Sequence, residues 1–417
     1  MTISPQQQST APHWLADPVE SGPAAGFGVY LHVPFCHHRC GYCDFATAAV
    51  GEQTPEDADA LFDRYLDALV TDLGRQVAAG RRAHVPPDVA RRTDDTWPRV
   101  TSVFVGGGTP TLIGGARLAR LLDAVRRELD VGDGAEITIE CNPETASPEL
   151  FAALAAAGTD RISMGAQSFT PTVLERLERG HSADRPIEAV AQAHAAGIGH
   201  VNLDLIYGTP GESDDDWRHT LGRVLTSGVD HVSAYALTIH DNTAFGRAVN
   251  RGTMADVDPD VQADRFELSR EMLGVGGFQH YEVSNFALGD ANRSAHNVLY
   301  WRHGDYLGVG VGAHAHQSGR RSWTTRSTTR YLDAVAAGDS PVTGHEDLDH
   351  AERALERLLL GLRLREGIHP GDLPPIAPIA LEDALDTGLV ETSCGRLRCT
   401  ESGWFLLDEA VDRLTAG

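Results

Sequence analysis

The sequence is poor in cysteine, in basic residues and in long apolar runs, and each shortage excludes a class of protein. Six cysteines in 417 residues are too few for a disulfide framework. Thirty-five lysines and arginines face 59 acidic residues, and a net charge of −24 disfavours binding to nucleic-acid phosphates. No apolar run approaches the roughly 18 residues of a spanning helix, and no secretory signal pattern is evident. We therefore expect a cytoplasmic protein that binds no nucleic acid; peripheral membrane contact and a dimer stay open.

The chain divides by composition into four regions. Residues 1–26 lack periodicity and indicate a flexible tail, whereas 27–245 alternate strand and helix patterns and form the core. Within the core, 75–99 is rich in arginine and proline and indicates a surface insertion. The alternation of strand and helix patterns stops in residues 246–345, an extension that contains HNVLYW. The pattern of residues 346–417 predicts a small winged-helix-like domain of helices and a hairpin.

The core predicts an α/β fold with a parallel sheet, either an open doubly wound sheet or a barrel. Its candidate strands are GVYLHV, TSVFVGGG, EITIECNP, RISMGAQSF, HVNLDLIYG and HVSAYALTI. Such folds place ligands at the carboxyl ends of their strands. Unusual residues cluster at or near those ends, namely the GGGTP run, Glu140, Gln167 and Asp204, so one ligand could reach all of them.

Three of the six cysteines fall on one short loop directly after the first strand. Cys36, Cys40 and Cys43 are close enough in sequence to hold one inorganic core, and thiolates are the usual ligands of iron-sulfur clusters. Three ligands leave one iron of a four-iron cubane open to a further ligand. The remaining cysteines, Cys141, Cys394 and Cys399, are interpreted as buried or incidental thiols.

A structural zinc ion is the alternative for this loop, because three cysteines and one histidine form an ordinary zinc set. The candidate fourth ligands are His32, His37 and His38. Spacing alone does not separate zinc from a cluster. The location favours the cluster, because a structural zinc has no reason to lie at the strand ends beside a glycine loop.

The glycine run Gly106-Gly107-Gly108-Thr109-Pro110 follows a strand and precedes a helix. Glycines let the backbone approach a ligand closely. The run lacks the lysine of a phosphate loop and the spacing of a dinucleotide fingerprint, so by itself it equally fits a simple tight turn.

Taken in order, these motifs resemble the radical SAM haem chaperone family (HemW-type), a close relative of oxygen-independent coproporphyrinogen III dehydrogenase. The resemblance runs from about Gly28 to the C-terminus and rests on YLHVPFC, CDF, GGGTPT, IECNP, RISMGAQSF, LERGH, NLDLIYGTPG, YALTI, YEVSNFA and HNVLYW. It implies a partial (β/α)6-type barrel in which Cys36, Cys40 and Cys43 hold a [4Fe-4S] cluster. The open iron would chelate S-adenosylmethionine, which the cluster can cleave to a 5'-deoxyadenosyl radical.

The resemblance also implies which residues contact the cofactor. Tyr30, Gly107, Gly108 and Thr109 would line S-adenosylmethionine. Its polar contacts would come from Glu140, Gln167, Arg179 and Asp204. Carboxylates suit a cationic sulfonium and ribose hydroxyls, and an arginine suits the methionyl carboxylate.

Two features of the sequence help to decide between the haem chaperones and the related dehydrogenase. The dehydrogenase continues its cluster motif with a further cysteine where this chain has Phe45, which argues against porphyrinogen decarboxylation. HNVLYW resembles a haem-binding motif of the chaperones, with His296 as the candidate ligand. The alternatives are a packing cluster around a hydrogen-bonded His296, or ligation by His314 or His316.

We therefore expect a haem chaperone that hands haem to proteins such as respiratory enzymes. The alternative functions are a coproporphyrinogen III dehydrogenase and a zinc-stabilised protein without redox chemistry. Whether the chain acts as an enzyme is left open.

Overall fold

The structure, a computed structural model, describes residues 26–80 and 97–415. Its strands in chain order are β1 (Phe27–Val33), β2 (Phe35–Cys36), β3 (Ala48–Ala49), β4 (Val100–Gly107), β5 (Val131–Cys141), β6 (Arg161–Gln167), β7 (His200–Tyr207), β8 (His231–Ala236), β9 (Gln279–Glu282), β10 (Asn285–Ala287), β11 (Asp305–Val309), β12 (His314–Gln317), β13 (Arg320–Thr324), β14 (Val342–Asp347), β15 (Val390–Ser393) and β16 (Arg396–Cys399).

The helices surround and follow these strands. In chain order they are α1 (Pro55–Gly80), α2 (Gly115–Glu128), α3 (Pro148–Ala156), α4 (Pro171–Arg176), α5 (Arg185–Ala195), α6 (Asp214–Leu225), α7 (Ala244–Asn250), α8 (Pro259–Val275), α9 (Ala295–Trp301), α10 (Thr328–Ala337), α11 (His350–Gly361), α12 (Pro378–Asp386), α13 (Glu401–Phe405) and α14 (Leu407–Thr415).

One large sheet organises the described part of the chain. Its strand order is β14-β13-β12-β11-β1-β4-β5-β6-β7-β8-β10-β9, and the run from β11 to β8 is parallel throughout. The six strands predicted from the sequence are β1 and β4 to β8, and their carboxyl ends share one edge. The mixed α/β fold predicted from the sequence is therefore confirmed.

The predicted extension, residues 246–345, does not form a sheet of its own. It contributes β9 and β10 beyond β8 and β11 to β14 beyond β1, so it lengthens the core sheet at both edges. Each added strand is short, between three and six residues. Strands of this length carry little alternation, and the sequence pattern therefore did not reveal that they join the core.

The predicted surface insertion, 75–99, begins later than expected. Residues 75–80 are the last turns of α1, where Val77 is fully buried against the core. Trp97 lies against the same turns, because its Nε1 donates to the carbonyl of Val77 at 2.9 Å and its ring packs on Phe27. Residues 81–96, and the tail up to residue 25, lie outside the described residues.

The parallel strands are apolar on both faces because helices cover them. In β1 only Tyr30 has partial exposure, and the other six residues are buried. Helix α6 begins with a capping box, in which Ser213 and Asp216 exchange hydrogen bonds, and it buries Trp217 against α8. Burial of such side chains is the main stabilising term of the core.

The C-terminal residues pack against the sheet as a small helical unit. Helices α11, α12 and α14 surround the hairpin of β15 and β16, and Trp404 donates from Nε1 to the carbonyl of Leu362 on the end of α11. None of the helices in the described ranges combines the length and apolar character needed to cross a membrane.

Candidate functional site

A cavity of about 370 Å³ lies at the carboxyl ends of the parallel strands. It gathers ten of the residues that the sequence singled out, from loops that are distant along the chain. They are Cys36, Cys40, Cys43, Gly107, Gly108, Thr109, Glu140, Gln167, Arg179 and Asp204. Strand ends of a parallel sheet converge on one edge, which explains why these residues meet.

The cysteine loop leaves the sheet through β2, which pairs with β3 and closes the loop at its base. Thr109 lies 3.8 Å from the sulfur of Cys36, and Arg179 Nη1 lies 3.7 Å from the sulfur of Cys40. Burial raises the pKa of the Cys36 thiol to about 11 and also raises the pKa of Cys43. Such thiols ionise when a metal core replaces their protons, so metal binding to this loop releases protons.

The three cysteine sulfurs, as placed, do not form a ready-made zinc site. Zinc–sulfur bonds of about 2.3 Å bring tetrahedral ligands within about 4 Å of one another. Among the described residues, groups of three metal-ligating atoms within 4.8 Å do not include Cys36, Cys40 and Cys43. At least one pair of these sulfurs is therefore too far apart for a shared zinc ion as placed.

His32, one candidate fourth zinc ligand, has both ring nitrogens in hydrogen bonds. Nδ1 bonds to the Tyr30 hydroxyl and Nε2 to the carbonyl of Ala46, each at 2.9 Å. Burial lowers its pKa to about 4. His37 and His38, the other two candidates, are exposed and line the cavity.

The glycine run packs against the base of the cysteine loop. Gly107 has φ +120°, and a Cβ there would lie 2.5 Å from the ring of His32. A Cβ on Gly108 would lie 2.7 Å from the backbone of Pro34 and Phe35. The loop is fixed by backbone hydrogen bonds from Gly108 to Val33 and from Thr109 to Phe35. These glycines are thus required for the two loops to meet, whether or not a ligand is present.

Two carboxyl groups face the cavity in surroundings that disfavour their charged forms. Burial raises the pKa of Glu140 to about 8, although its Oε2 accepts a hydrogen bond from the Gly107 N–H at 2.8 Å. Burial also raises the pKa of Asp204 to about 6, against hydrogen bonds from Ser163 and Asn202. A cationic ligand would favour ionisation of both groups, so this part of the cavity suits positive charge.

Arg179 and Gln167 complete the polar wall. Arg179 donates from Nη2 to the carbonyl of Gly165 at 2.9 Å, while its buried Nε has no partner among the described residues. Gln167 adopts φ +63°, a left-handed conformation that costs energy in a residue other than glycine. An unsatisfied donor and a strained backbone at one cavity are typical of a ligand site.

The structure adds lining residues that the sequence analysis did not select. Ser163 and Tyr235 lie on β6 and β8 and face the same space as Asp204, and Tyr42 and Asn142 lie on the bordering loops. Ser163 could have been found by strand alternation, because it stands two residues from Gly165 on the same strand face. Tyr42 and Asn142 follow only from the folded loops.

Phe45 stands at the cavity where the dehydrogenase pattern has a cysteine. Its side chain is 65% exposed, so this position supplies an aromatic surface in place of a fourth sulfur. Tyr30, in contrast, does not line the cavity. Its hydroxyl bonds to His32 and its ring stacks on Phe104, so it supports the cavity through His32.

The candidate haem ligand His296 lies in the core and away from this cavity. It is 1% exposed, and its Nδ1 and Nε2 bond to Ser102 at 2.9 Å and to the Tyr300 hydroxyl at 2.8 Å. Its ring stacks on Phe104. This arrangement matches the packing interpretation of HNVLYW, and ligation of haem by His296 would require one of its two hydrogen bonds to break and the side chain to become accessible.

The alternative ligands differ in accessibility. His316 is buried, bonds to the carbonyl of Gly304 through Nδ1 and accepts the Gly319 N–H on Nε2, each at 3.2 Å. His314 is exposed and lies beside the ring of Trp323. His316 also approaches His303, which bonds to Glu356 of α11 at 2.7 Å. The hydrogen bonds of His303, His316 and Glu356 link the sheet to α11, which explains why these side chains lie together.

Comparisons with known proteins agree with the site. The family model for the radical SAM superfamily matches residues 30–224, and the model for the HemN C-terminal domain matches 348–406. Proteins named heme chaperone HemW from two strains of Mycobacterium tuberculosis are each 42% identical over 395 residues, covering 94% of this chain and 95% of the relative. The Escherichia coli heme chaperone HemW is 31% identical over 400 residues, covering 93% and 98%.

A solved structure supports the same fold. Coproporphyrinogen III oxidase (HemN) from Escherichia coli, a radical SAM enzyme, superposes with a TM-score of 0.75 at 20% identity, covering 97% of this chain and 93% of that one. At this identity the likeness establishes the fold alone. The relatives that match nearly the whole chain show that the chain belongs to the HemW family of haem chaperones within the radical SAM superfamily.

Proposed function

We propose that this protein binds haem and delivers it to haem-requiring acceptors such as respiratory enzymes, with a [4Fe-4S] cluster and S-adenosylmethionine bound at the strand-end cavity. The observation that carries the proposal is the match to HemW relatives over 94% of the chain, combined with a cavity that gathers the predicted cofactor residues except Tyr30. In this proposal the protein is a carrier whose cofactors regulate or drive transfer.

The residues at the cavity fit the two cofactors. Three thiols on one loop at the cavity suit the iron atoms of a cluster, for which thiolates are the usual ligands. Glu140 and Asp204 suit a sulfonium cation, and the unpartnered Nε of Arg179 suits a carboxylate. When bound, the cluster supplies an electron that can cleave the sulfonium. The chain itself positions the ligand and holds the carboxyl groups that neutralise its positive charge.

We also propose two finer features of the architecture. The six parallel strands β1 and β4 to β8 are the strands of an incomplete (β/α)6 barrel, whose gap leaves the cavity accessible. The unit of α11, α12, α14 and the β15–β16 hairpin is winged-helix-like. The chain carries more acidic than basic residues, and this charge disfavours nucleic acid. We therefore propose that the C-terminal unit packs against the rest of the protein and does not bind nucleic acid.

The test begins with anaerobic reconstitution of the cluster, followed by iron and sulfide analysis and a haem titration. We expect a brown protein that retains haem through gel filtration and restores the haem spectrum of an apo-acceptor. A cluster-loaded protein that retains no haem would contradict the proposal. A colourless protein that holds zinc would support the zinc alternative.

The same preparation distinguishes the carrier from the dehydrogenase. Coproporphyrinogen III, reductant and S-adenosylmethionine are added without oxygen, and the products are separated by chromatography. Because Phe45 stands where the dehydrogenase pattern has a cysteine, we expect no protoporphyrinogen. Stoichiometric formation of protoporphyrinogen would contradict the carrier function and support the dehydrogenase function.

A further inference from the structure

The cysteine loop is held at its middle by a residue from a distant part of the chain. Glu178 follows α4, and its Oε2 accepts the backbone N–H of Gly41 at 2.7 Å. Gly41 is buried and lies between Cys40 and Cys43. The carbonyl oxygen of Glu178 also lies 4.0 Å from the sulfur of Cys40. One residue thus contacts the loop through both its side chain and its backbone.

The backbone of Glu178 has a conformation that residues with a side chain disfavour. Its φ is +54°, in the left-handed region that glycine adopts at lower cost. Its N–H still bonds to the carbonyl of Glu175 at 3.0 Å, so this turn follows directly on the end of α4. A glycine would relieve the strain, but it would have no carboxylate for the loop. A residue other than glycine in this region indicates that its side chain has a role.

The contact with Glu178 fixes the turn that carries two of the three sulfurs. The N–H of Cys43 bonds to the carbonyl of Cys40 at 3.1 Å and closes this turn. The carbonyl of Gly41 accepts the Phe245 N–H at 2.9 Å, and a Cβ on Gly41 would lie 2.3 Å from the Phe245 ring. Gly41 is therefore held on one side by Glu178 and on the other by the start of α7, which leaves the turn little freedom.

The carboxylate also places a negative charge beside the cysteine loop. Glu178 lines the cavity, and it forms no ion pair with residues 26–80 or 97–415. Two effects on a bound cluster follow. The carboxylate occupies an N–H that could otherwise hydrogen-bond to a sulfur, and its charge opposes the addition of an electron. Net charge and hydrogen bonds to the sulfurs set the reduction potential of iron-sulfur clusters, and here both effects lower it.

We propose that Glu178 is a positioning residue for the iron-sulfur cluster, which holds the Gly41 amide so that Cys40 and Cys43 present their sulfurs to one core and keeps the reduction potential of that core low. The inference rests on the proposed function, because it requires the cluster that this function assigns to the loop. Glu178 itself binds neither iron nor S-adenosylmethionine. Its role is to hold the loop and to set the charge around it.

The test compares variants of the full chain, before and after anaerobic reconstitution of the cluster. Glu178→Gly should leave the melting temperature of the metal-free protein near that of the wild type, because relief of the left-handed backbone offsets the lost hydrogen bond. After reconstitution, this variant should hold iron about 10-fold less tightly in competition with a chelator, as loss of partners around metal ligands does.

Glu178→Gln separates the charge from the hydrogen bond, because it keeps an acceptor for Gly41 and removes the charge. It should hold iron as the wild type does, and its midpoint potential should shift to more positive values. A redox titration followed by electron paramagnetic resonance measures this shift. Glu175→Gln removes an exposed charge from α4, three residues away, and is the matched control that should change neither iron retention nor potential.

The outcomes separate this inference from the proposed function. A wild-type protein that forms no cluster overturns both. With a cluster in the wild type, unchanged iron retention in Glu178→Gly overturns the positioning role, and an unchanged potential in Glu178→Gln overturns the effect on the potential, while the proposed function stands. If Glu178→Gly does not fold, Glu178→Ala takes its place in the chelator competition and decides by the same criterion.

Discussion

Replacing Glu140 by glutamine should stabilise the ligand-free protein and weaken its affinity for S-adenosylmethionine. The carboxyl group lies in surroundings that raise its pKa from 4.5 to about 8. The folded protein therefore binds a proton that the unfolded chain has released at neutral pH. Glutamine keeps the acceptor for the Gly107 N–H but has no charge to bury.

The magnitude follows from the linkage between protonation and folding. Each pKa unit contributes about 1.4 kcal/mol, so at pH 7 the penalty on the wild type is at most about 3 kcal/mol. Glu140 keeps part of its surface accessible to the cavity, and solvent screening lowers this limit to about 1–2 kcal/mol. For 417 residues, with an unfolding entropy of about 2 cal/mol/K per residue, the melting temperature should rise by about 1–2 °C.

The stability gained by Glu140→Gln over the wild type should increase with pH. Because the folded-state pKa is raised, the penalty is absent below the unfolded-state pKa of 4.5 and grows as the pH rises towards about 8. The difference in melting temperature between Glu140→Gln and wild type should therefore be near zero at about pH 5 and largest near pH 8. Thermal unfolding of both proteins across this range measures it.

Two further measurements test the reasoning. Glu175→Gln, which removes an exposed charge from α4, is the control and should show no comparable dependence on pH. Calorimetric titration with S-adenosylmethionine should show affinity weakened by about 1.5–3 kcal/mol in Glu140→Gln, because a charged acceptor is lost. A pH-independent difference in stability, or unchanged affinity for the cofactor, would refute the argument.

Three other predictions concern the remaining parts of the site. Cys36→Ser should lose cluster iron and the brown colour after reconstitution, as iron analysis and absorption spectra will show; full iron content would exclude this ligand. Gly108→Ala should cost about 1–3 kcal/mol by forcing a Cβ into the backbone of the cysteine loop, measured by urea unfolding; unchanged stability would contradict the packing seen there. His296→Ala should cost about 2–4 kcal/mol, because it leaves a cavity and two buried hydroxyl groups without their partner. If α9 still folds, this variant should retain haem, and loss of haem with an intact helix would restore His296 as the ligand.

The sequence predicted the core elements closely because each is long and strongly patterned. Strand β7 was expected from HVNLDLIYG and spans His200–Tyr207, and β6 was expected from RISMGAQSF and spans Arg161–Gln167. Buried parallel strands are continuous apolar runs, and helix caps such as Ser213 mark the boundaries. The convergence of Glu140, Gln167 and Asp204 then followed from the rule that strand ends share an edge.

The sequence did not reveal which histidines are accessible. His32 and His296 belong to motifs that indicate ligand binding, yet in each case both ring nitrogens are occupied by hydrogen bonds. One partner of each histidine lies nearby in sequence, but the second, Ala46 for His32 and Ser102 for His296, is distant along the chain, so no local pattern announces that both nitrogens are occupied.

The two ends of the parallel strands differ in how their buried charged side chains are compensated. At the carboxyl end, burial holds Glu140 and Asp204 where ionisation is unfavourable, which costs stability at neutral pH as long as no cation lies beside them. At the opposite end, Glu136 and Arg161 compensate each other at 2.9 Å, and the apolar face of α9 borders open space. A cationic ligand at the carboxyl end would favour ionisation of Glu140 and Asp204, whereas the charged pair at the opposite end is already balanced without a ligand.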